Sequence, residues 1–219
     1  MLDVSVLLPC YNAGATLDQA LDSLQNQTYS NFEIIAVDDG STDDTLTILE
    51  KRADEDPRIK ILPGPHQGVV DAANRGLESC QAEIILRMDA DDRCHPQRIE
   101  KQRNYLLNHP QISVVSCLVE GFPEEAVGEG FQLYYDWLNS LISHEDIARE
   151  MFVESPIANP SAAFRKDLVR NYGSYQDQGW PEDYDLWLRY YLAGARFAKI
   201  PEVLFYWREH PGRLTHQDS

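Results

Sequence analysis

Positive charge is what this sequence holds least of: 19 Lys and Arg stand against 36 Asp and Glu, a formal net charge of -17 over 219 residues. Such a surface repels a nucleic-acid backbone and an anionic membrane alike, so no nucleic-acid partner is expected and any phosphate ligand needs a cation as intermediary. Cysteine is sparse as well. Cys10, Cys80, Cys94 and Cys117 lie far apart with no C-x-x-C pair, and no apolar leader precedes the first strand-like run. The expectation is a reducing, cytoplasmic setting without a zinc ribbon. The apolar runs are only a few residues long, against the roughly 20 that a membrane-spanning helix needs. Neither G-x-x-x-x-G-K-[ST] nor a G-x-G-x-x-G after a strand occurs, which sets aside P-loop kinases and dinucleotide dehydrogenases. A G-x-S-x-G elbow is missing too, and no Cys and His arrangement argues for nucleophilic catalysis.

What is present is enough apolar residue, 43% of the chain, to bury a sizeable core. Val4 to Leu8 is a short apolar run ended by Pro9, and Thr16 with Gln19 predicts a capping box ahead of Leu17, Ala20, Leu21 and Leu24. The pattern repeats. Glu33 to Val37 and Ile59 to Leu62 read as strands, Val69 to Leu77 as a helix, Ile84 to Met88 as a strand, Pro96 to Leu107 as a helix, and Ser113 to Val119 as a fifth strand. Strands alternating with helices predict right-handed βαβ units and a mainly parallel sheet with helices on both faces. Beyond about Gly121 the alternation breaks down: helices are expected over Phe131 to Ile142, His144 to Phe152 and Pro181 to Leu192, with strands near Ala162 to Phe164 and ending near Trp207. No linker separates a second domain. Residues 1–120 are expected to form a ligand-binding α/β half, and 121–219 the other half of the same domain. The glycine and acidic content of 121–130 marks a candidate lid.

In an open α/β sheet, ligands bind outside the carboxyl ends of the strands, and the notable polar residues sit there. Tyr11 and Asn12 follow the first strand, Asp38 and Asp39 the second, and Asp89, Asp91 and Asp92 the fourth. Carboxylates cannot hold a diphosphate directly, whereas a hard divalent cation between them can, which makes Asp89-Ala90-Asp91 a candidate metal and nucleotide site. Asp38-Asp39 alone is equally accounted for by turn chemistry or a helix cap. A calcium loop fits poorly, with Cys94 where its glycine belongs, and Arg93 argues against an aspartyl phosphatase.

Taken together, VSVLLPCYNA at Val4 to Ala13, VDDGSTDDT at Val37 to Thr45, the segment Gly68 to Gly76, MDADD at Met88 to Asp92 and PEDYDLWLR at Pro181 to Arg189 resemble the family 2 glycosyltransferases. The resemblance covers nearly the whole chain. It implies an α/β GT-A (Rossmann-like) fold, a mainly parallel sheet flanked by helices with a smaller acceptor-side region. It also implies an inverting, metal-dependent glycosyltransferase that takes a nucleoside diphosphate sugar, UDP-linked for preference, in polysaccharide or surface glycan synthesis. Manganese or magnesium is the implied ion. By the same resemblance Tyr11 packs on the nucleobase, Pro9 shapes that wall, Asp39 accepts a hydrogen bond from the base, Asp89 reaches the ribose and Asp91 ligates the metal. Asp92 is a lesser candidate, for the sugar. Asp183 corresponds to the catalytic base, with Glu182 as the alternative, and His210 to a late histidine that approaches the metal or diphosphate. A glycan or lipid-linked acceptor is implied, with peripheral attachment at the inner face of a membrane. Without the resemblance, Glu182-Asp183 is also an acidic pair of the kind that stabilises a helix N-terminus, and His210 a lone histidine of no assigned role. Two departures stand out: His66 where relatives often carry asparagine, and Ala73 where many carry arginine or leucine, which leaves a basic contact to the donor missing.

Rival readings fare less well. A sugar nucleotidyltransferase needs a basic, glycine-rich loop after the first strand, and Pro9 to Gly14 contains no Lys or Arg. A catalytically silent nucleotide-sugar-binding protein stays open.

Overall fold

A computed structural model of the chain describes residues 2–210. In chain order the strands are β1 (Val4–Cys10), β2 (Phe32–Asp39), β3 (Ile59–Gly64), β4 (Ile84–Arg87), β5 (Arg93–Cys94), β6 (Val114–Phe122), β7 (Ala163–Arg165) and β8 (Phe197–Arg208). The helices are α1 (Leu17–Gln25), α2 (Thr45–Glu55), α3 (Val69–Ser79), α4 (Arg98–Asn108), α5 (Glu129–Ser140), α6 (His144–Glu150), α7 (Lys166–Tyr172) and α8 (Glu182–Leu192). The strands form one sheet in the order β3-β2-β1-β4-β7-β6-β8-β5. β1 through β4 pair in parallel, as does β6 with β8, while β7 runs antiparallel to both of its neighbours and β5 antiparallel to β8.

The sheet is buried on both faces, which is why β1 and β2 read as continuous apolar runs rather than alternating ones. Val6 and Leu8 pack into a layer with α1, α2, α4 and α5, and Leu7 between them points into the opposite layer with α3, α6, α7 and α8. In α1 the buried set Leu17, Ala20, Leu21 and Leu24 keeps the three- and four-residue spacing of one helix face. α3 packs closest of all: a Cβ at Gly76 would lie 2.2 Å from Leu7 Cδ1 and 2.9 Å from Val37 Cγ2, so only glycine lets this helix rest on the sheet.

Buried polar side chains join the halves. Arg98, fully enclosed, donates from Nη2 to the carbonyls of Arg87 (2.8 Å) and Pro160 (2.7 Å), while Gln102 donates to the carbonyls of Val115 and Ser161. These bonds stitch α4 to β4, β6 and the segment entering β7.

Two local expectations differ from what folds. Thr16 does not cap α1; its hydroxyl donates instead to the carbonyls of Ala13 (3.3 Å) and Ala90 (3.1 Å). Gly121 belongs to β6 and its backbone lies under the Tyr135 ring, so the candidate lid does not begin there. The two-residue β5 and helix α7 were not foreseen from the pattern.

Candidate functional site

Because β4, β1 and β2 are adjacent and parallel, with Leu7 opposite Arg87 and Cys10 opposite Asp38, their carboxyl ends open side by side. The loops that leave them are tied together. Asn12, at φ +48°, accepts the Thr42 backbone N–H at 2.8 Å, the Ala13 N–H donates to Thr45 Oγ1 at 2.8 Å, and the Gly14 N–H donates to Asp43 Oδ2 at 2.9 Å. The polar residues of VDDGSTDDT therefore brace the first loop as much as they face a ligand.

On the β2 side, Pro9 lies within β1 and Tyr11 just beyond it, 47% exposed. Asp39 is buried at 2% exposure. Its Oδ1 accepts the Gln67 N–H at 3.0 Å, and its Oδ2 accepts the Gly68 N–H at 2.9 Å and His66 Nδ1 at 2.8 Å. The His66 ring stacks on Tyr11, centroids 4.0 Å apart and planes 12° from parallel. Arg75 Nη1 stands 3.9 Å from Asp39 Oδ1 and 3.5 Å from Asp71 Oδ2. A basic side chain therefore stands on α3 two residues after Ala73, beside Asp39. Asp38, beside Asp39, is buried, and its Oδ1 has no hydrogen-bond partner among the described residues.

At the end of β4, Asp89, Asp91 and Asp92 each offer an oxygen such that all lie within 4.8 Å of one another. Clustered hard oxygens are the donor type that a divalent cation such as magnesium or manganese takes. Asp89 Oδ1 pairs with Nη1 of the buried Arg87 at 2.7 Å, and Asp91 Oδ2 meets His210 Nε2 at 3.0 Å. The late histidine is therefore brought to the acidic cluster across 119 residues of chain. Asp92 is differently placed: 1% exposed, it accepts the Arg208 backbone N–H at 2.7 Å and anchors the end of β8, leaving it no open path to a sugar. The Arg208 side chain donates to the Asp91 carbonyl and, at 2.8 Å, to Gln19 Oε1.

The third contribution is the first turn of α8. Asp183 is half-buried there and accepts the Tyr184 N–H at 2.8 Å. Burial, then the Glu182 carboxylate, and more weakly Asp89, push its carboxyl up to about 7. The rise prevails over the helix N-terminus and the backbone N–H bonds, which favour the charged form. The influence of Asp89 on this titration brings α8 into the field of the acidic cluster. Arg189 is structural: it pairs with Asp185 at 2.6 Å and donates to the carbonyls of Tyr172 and Ser174. Trp187 is wholly buried. Trp180, 44% exposed, packs against Tyr184 at 5.7 Å, so two aromatic rings flank Glu182-Asp183.

Sequence reasoning missed Arg75, Arg87 and the asparagine braces. Asn74 exchanges hydrogen bonds with the Tyr175 backbone, and the Tyr175 hydroxyl donates to Asn159 at 2.9 Å, fixing the approach to α8. Arg87 carried a signal, a lone cation in an apolar strand next to an acidic run; the others carried none that is local.

The family described as Glycosyl transferase family 2 matches residues 5–173. The amylovoran biosynthesis glycosyltransferase AmsE of Erwinia amylovora is 35% identical over 203 residues, 91% of this chain and 74% of the relative. Among solved structures, S. aureus TarS 1-349 in complex with UDP-GlcNAc superposes with a TM-score of 0.81 at 21% identity, over 100% of this chain and 61% of that one. The mannosyltransferase PcManGT from Pyrobaculum calidifontis, in complex with GDP-Man and Mn2+, gives 0.75 at 21%, over 98% of this chain and 59% of that one. These two likenesses show the fold, and the chain spans about three-fifths of either solved protein.

Proposed function

The chain belongs to glycosyl transferase family 2, and from that premise we propose that it is an inverting enzyme that moves a sugar from a nucleoside diphosphate, UDP for preference, to an acceptor hydroxyl. The observation that carries the reading is the meeting of a three-carboxylate cluster with a carboxyl held near neutrality beside it. In this reading residues 1–120 hold the donor and 121–219 complete the acceptor side. Tyr11 and Pro9 wall the nucleobase, Asp39 receives its N–H, Asp89 reaches the ribose, and Asp91 with His210 faces the diphosphate. Asp91 would hold manganese or magnesium, as the Mn2+ complex of PcManGT suggests, and such an ion would supply positive charge against the departing diphosphate.

Asp183 takes the acceptor hydroxyl proton as the oxygen attacks the anomeric carbon; the new C–O bond forms as the bond to the β-phosphate oxygen breaks, and the electron pair leaves with the nucleoside diphosphate. One displacement inverts the anomer. Arg87 fixes the Asp89 carboxylate at 2.7 Å, so ribose recognition does not depend on a mobile side chain. Trp180 and Tyr184 offer apolar faces to an acceptor sugar next to the base. The name of AmsE supports a polysaccharide acceptor, glycan or lipid-linked. Among the described residues no helix is long and apolar enough to cross a membrane, and attachment from the cytoplasmic side of one belongs to the same proposal.

The test is turnover. Nucleotide release from a panel of UDP sugars with glycan acceptors, and the anomer of the product by NMR, should show activity that Asp183→Asn lowers by about 10²-fold or more while nucleotide binding persists. A retained anomer, or an active Asp183→Asn variant, overturns the assignment.

A further inference from the structure

His66 occupies both positions that the proposed donor pose gives to the nucleobase. Its ring covers a face of Tyr11 at 4.0 Å, a spacing that admits no third ring between them. Its Nδ1 lies 2.8 Å from Asp39 Oδ2 and 3.2 Å from the Asp39 carbonyl oxygen. Both partners are acceptors, so Nδ1 carries the proton and donates. A flat ring that stacks on Tyr11 and presents an N–H to Asp39 reproduces what the imide edge of uracil would do. Asp39 has little capacity left, since Oδ2 already receives two donors and Oδ1 receives the Gln67 N–H.

We propose that His66 is an internal stand-in for the nucleobase, holding the slot in order while empty and setting the affinity of the filled site by having to be displaced. The inference rests on the proposed donor pose. Displacement is a side-chain movement: the backbone after His66 is pinned by the Gln67 and Gly68 N–H bonds to Asp39, Gly64 before it pairs with Asp39 in the sheet, and the imidazole is 52% exposed on its outer side. Asp39 and Tyr11 then pass from one planar N–H donor to another with no rearrangement of the loop. Part of the intrinsic binding is spent on expelling the ring, and apparent affinity falls by the fraction of molecules in which the slot is closed. The loss is the same for every base that enters the slot, since each must expel the same ring.

Calorimetric titration of the full chain with UDP in manganese tests this, using wild type, His66→Ala and His66→Phe. The Ala variant should bind UDP about five- to tenfold more tightly, as expected when a mostly closed competing state is removed. The Phe variant, which stacks without donating, should fall between. N3-methyl-UDP should gain by the same factor as UDP in each variant, because both must expel the same ring; a gain confined to one of them means that His66 contacts the bound base and overturns the stand-in. Equal or weaker UDP binding by His66→Ala, with its melting temperature unchanged, overturns the stand-in and makes His66 a wall of the site, leaving the proposed function intact. Absence of manganese-dependent UDP, GDP or dTDP binding in all three proteins overturns the donor pose and this inference together.

Discussion

Replacing Glu182 by glutamine removes a charge and little else, and its effect on Asp183 follows from the local geometry. Asp183 titrates near 7 in place of 3.8, with burial the largest cause and the Glu182 carboxylate the second. Removing the Glu182 charge therefore lowers the titration of Asp183. In the proposed role Asp183 must be ionised, so kcat/KM rises with pH through its titration. In Glu182→Gln that limb moves to lower pH. At pH 6 a carboxyl titrating at about 7 is about 9% ionised, so the variant gains in kcat/KM there, by at most about tenfold, and gains nothing at pH 9. Loss of one acidic residue from the first turn of α8 lowers stability by about 0.3–1 kcal/mol, which a melting curve reads separately and which does not move the limb. The assay is nucleotide release under kcat/KM conditions from pH 5 to 9. An unmoved limb, or one displaced upward, refutes the account of Asp183.

Lys199 is 2% exposed, and burial pushes its ammonium from 10.5 down to about 7. Between those values the unfolded chain binds more protons than the folded one, so the residue makes stability rise with pH across that window. Lys199→Met should stabilise the fold by about 1–3 kcal/mol at pH 7, with the gain shrinking toward pH 10, in urea denaturation at both pH values. At Gly76 the added methyl of alanine meets Leu7 and Val37. Overpacking of about 1–3 kcal/mol outweighs about 1 kcal/mol of improved helix propensity, so Gly76→Ala should be less stable in the same assay.

The donor side of the fold was legible because its signals are local. Apolar runs ending in Pro9, Asp38-Asp39 and Met88-Asp89 mark strand ends, and strand ends mark the crevice. Length separated helices from strands over most of the chain. What local pattern could not give was the partner of each polar group. Thr16 has the spacing of a capping residue, yet its hydroxyl reaches Ala90 across 74 residues. Asp92 sits in the same acidic run as Asp91, yet a backbone N–H from β8 claims it, and only the return of β8 to the sheet separates the two. β5 is two residues long, too short for any periodicity, and exists because β8 offers it an edge. The departure at His66 was visible in the sequence, but its meaning lies in Tyr11 and Asp39, 55 and 27 positions away.

The most direct test of the central claim is calorimetric binding of uridine diphosphate with manganese, with a chelator control and Asp91→Ala alongside. The account predicts binding that needs the ion and falls at least tenfold in the variant, about 1.4 kcal/mol or more. Binding that is indifferent to chelator and to Asp91 would contradict the assignment of the acidic cluster as the place where cation and diphosphate meet.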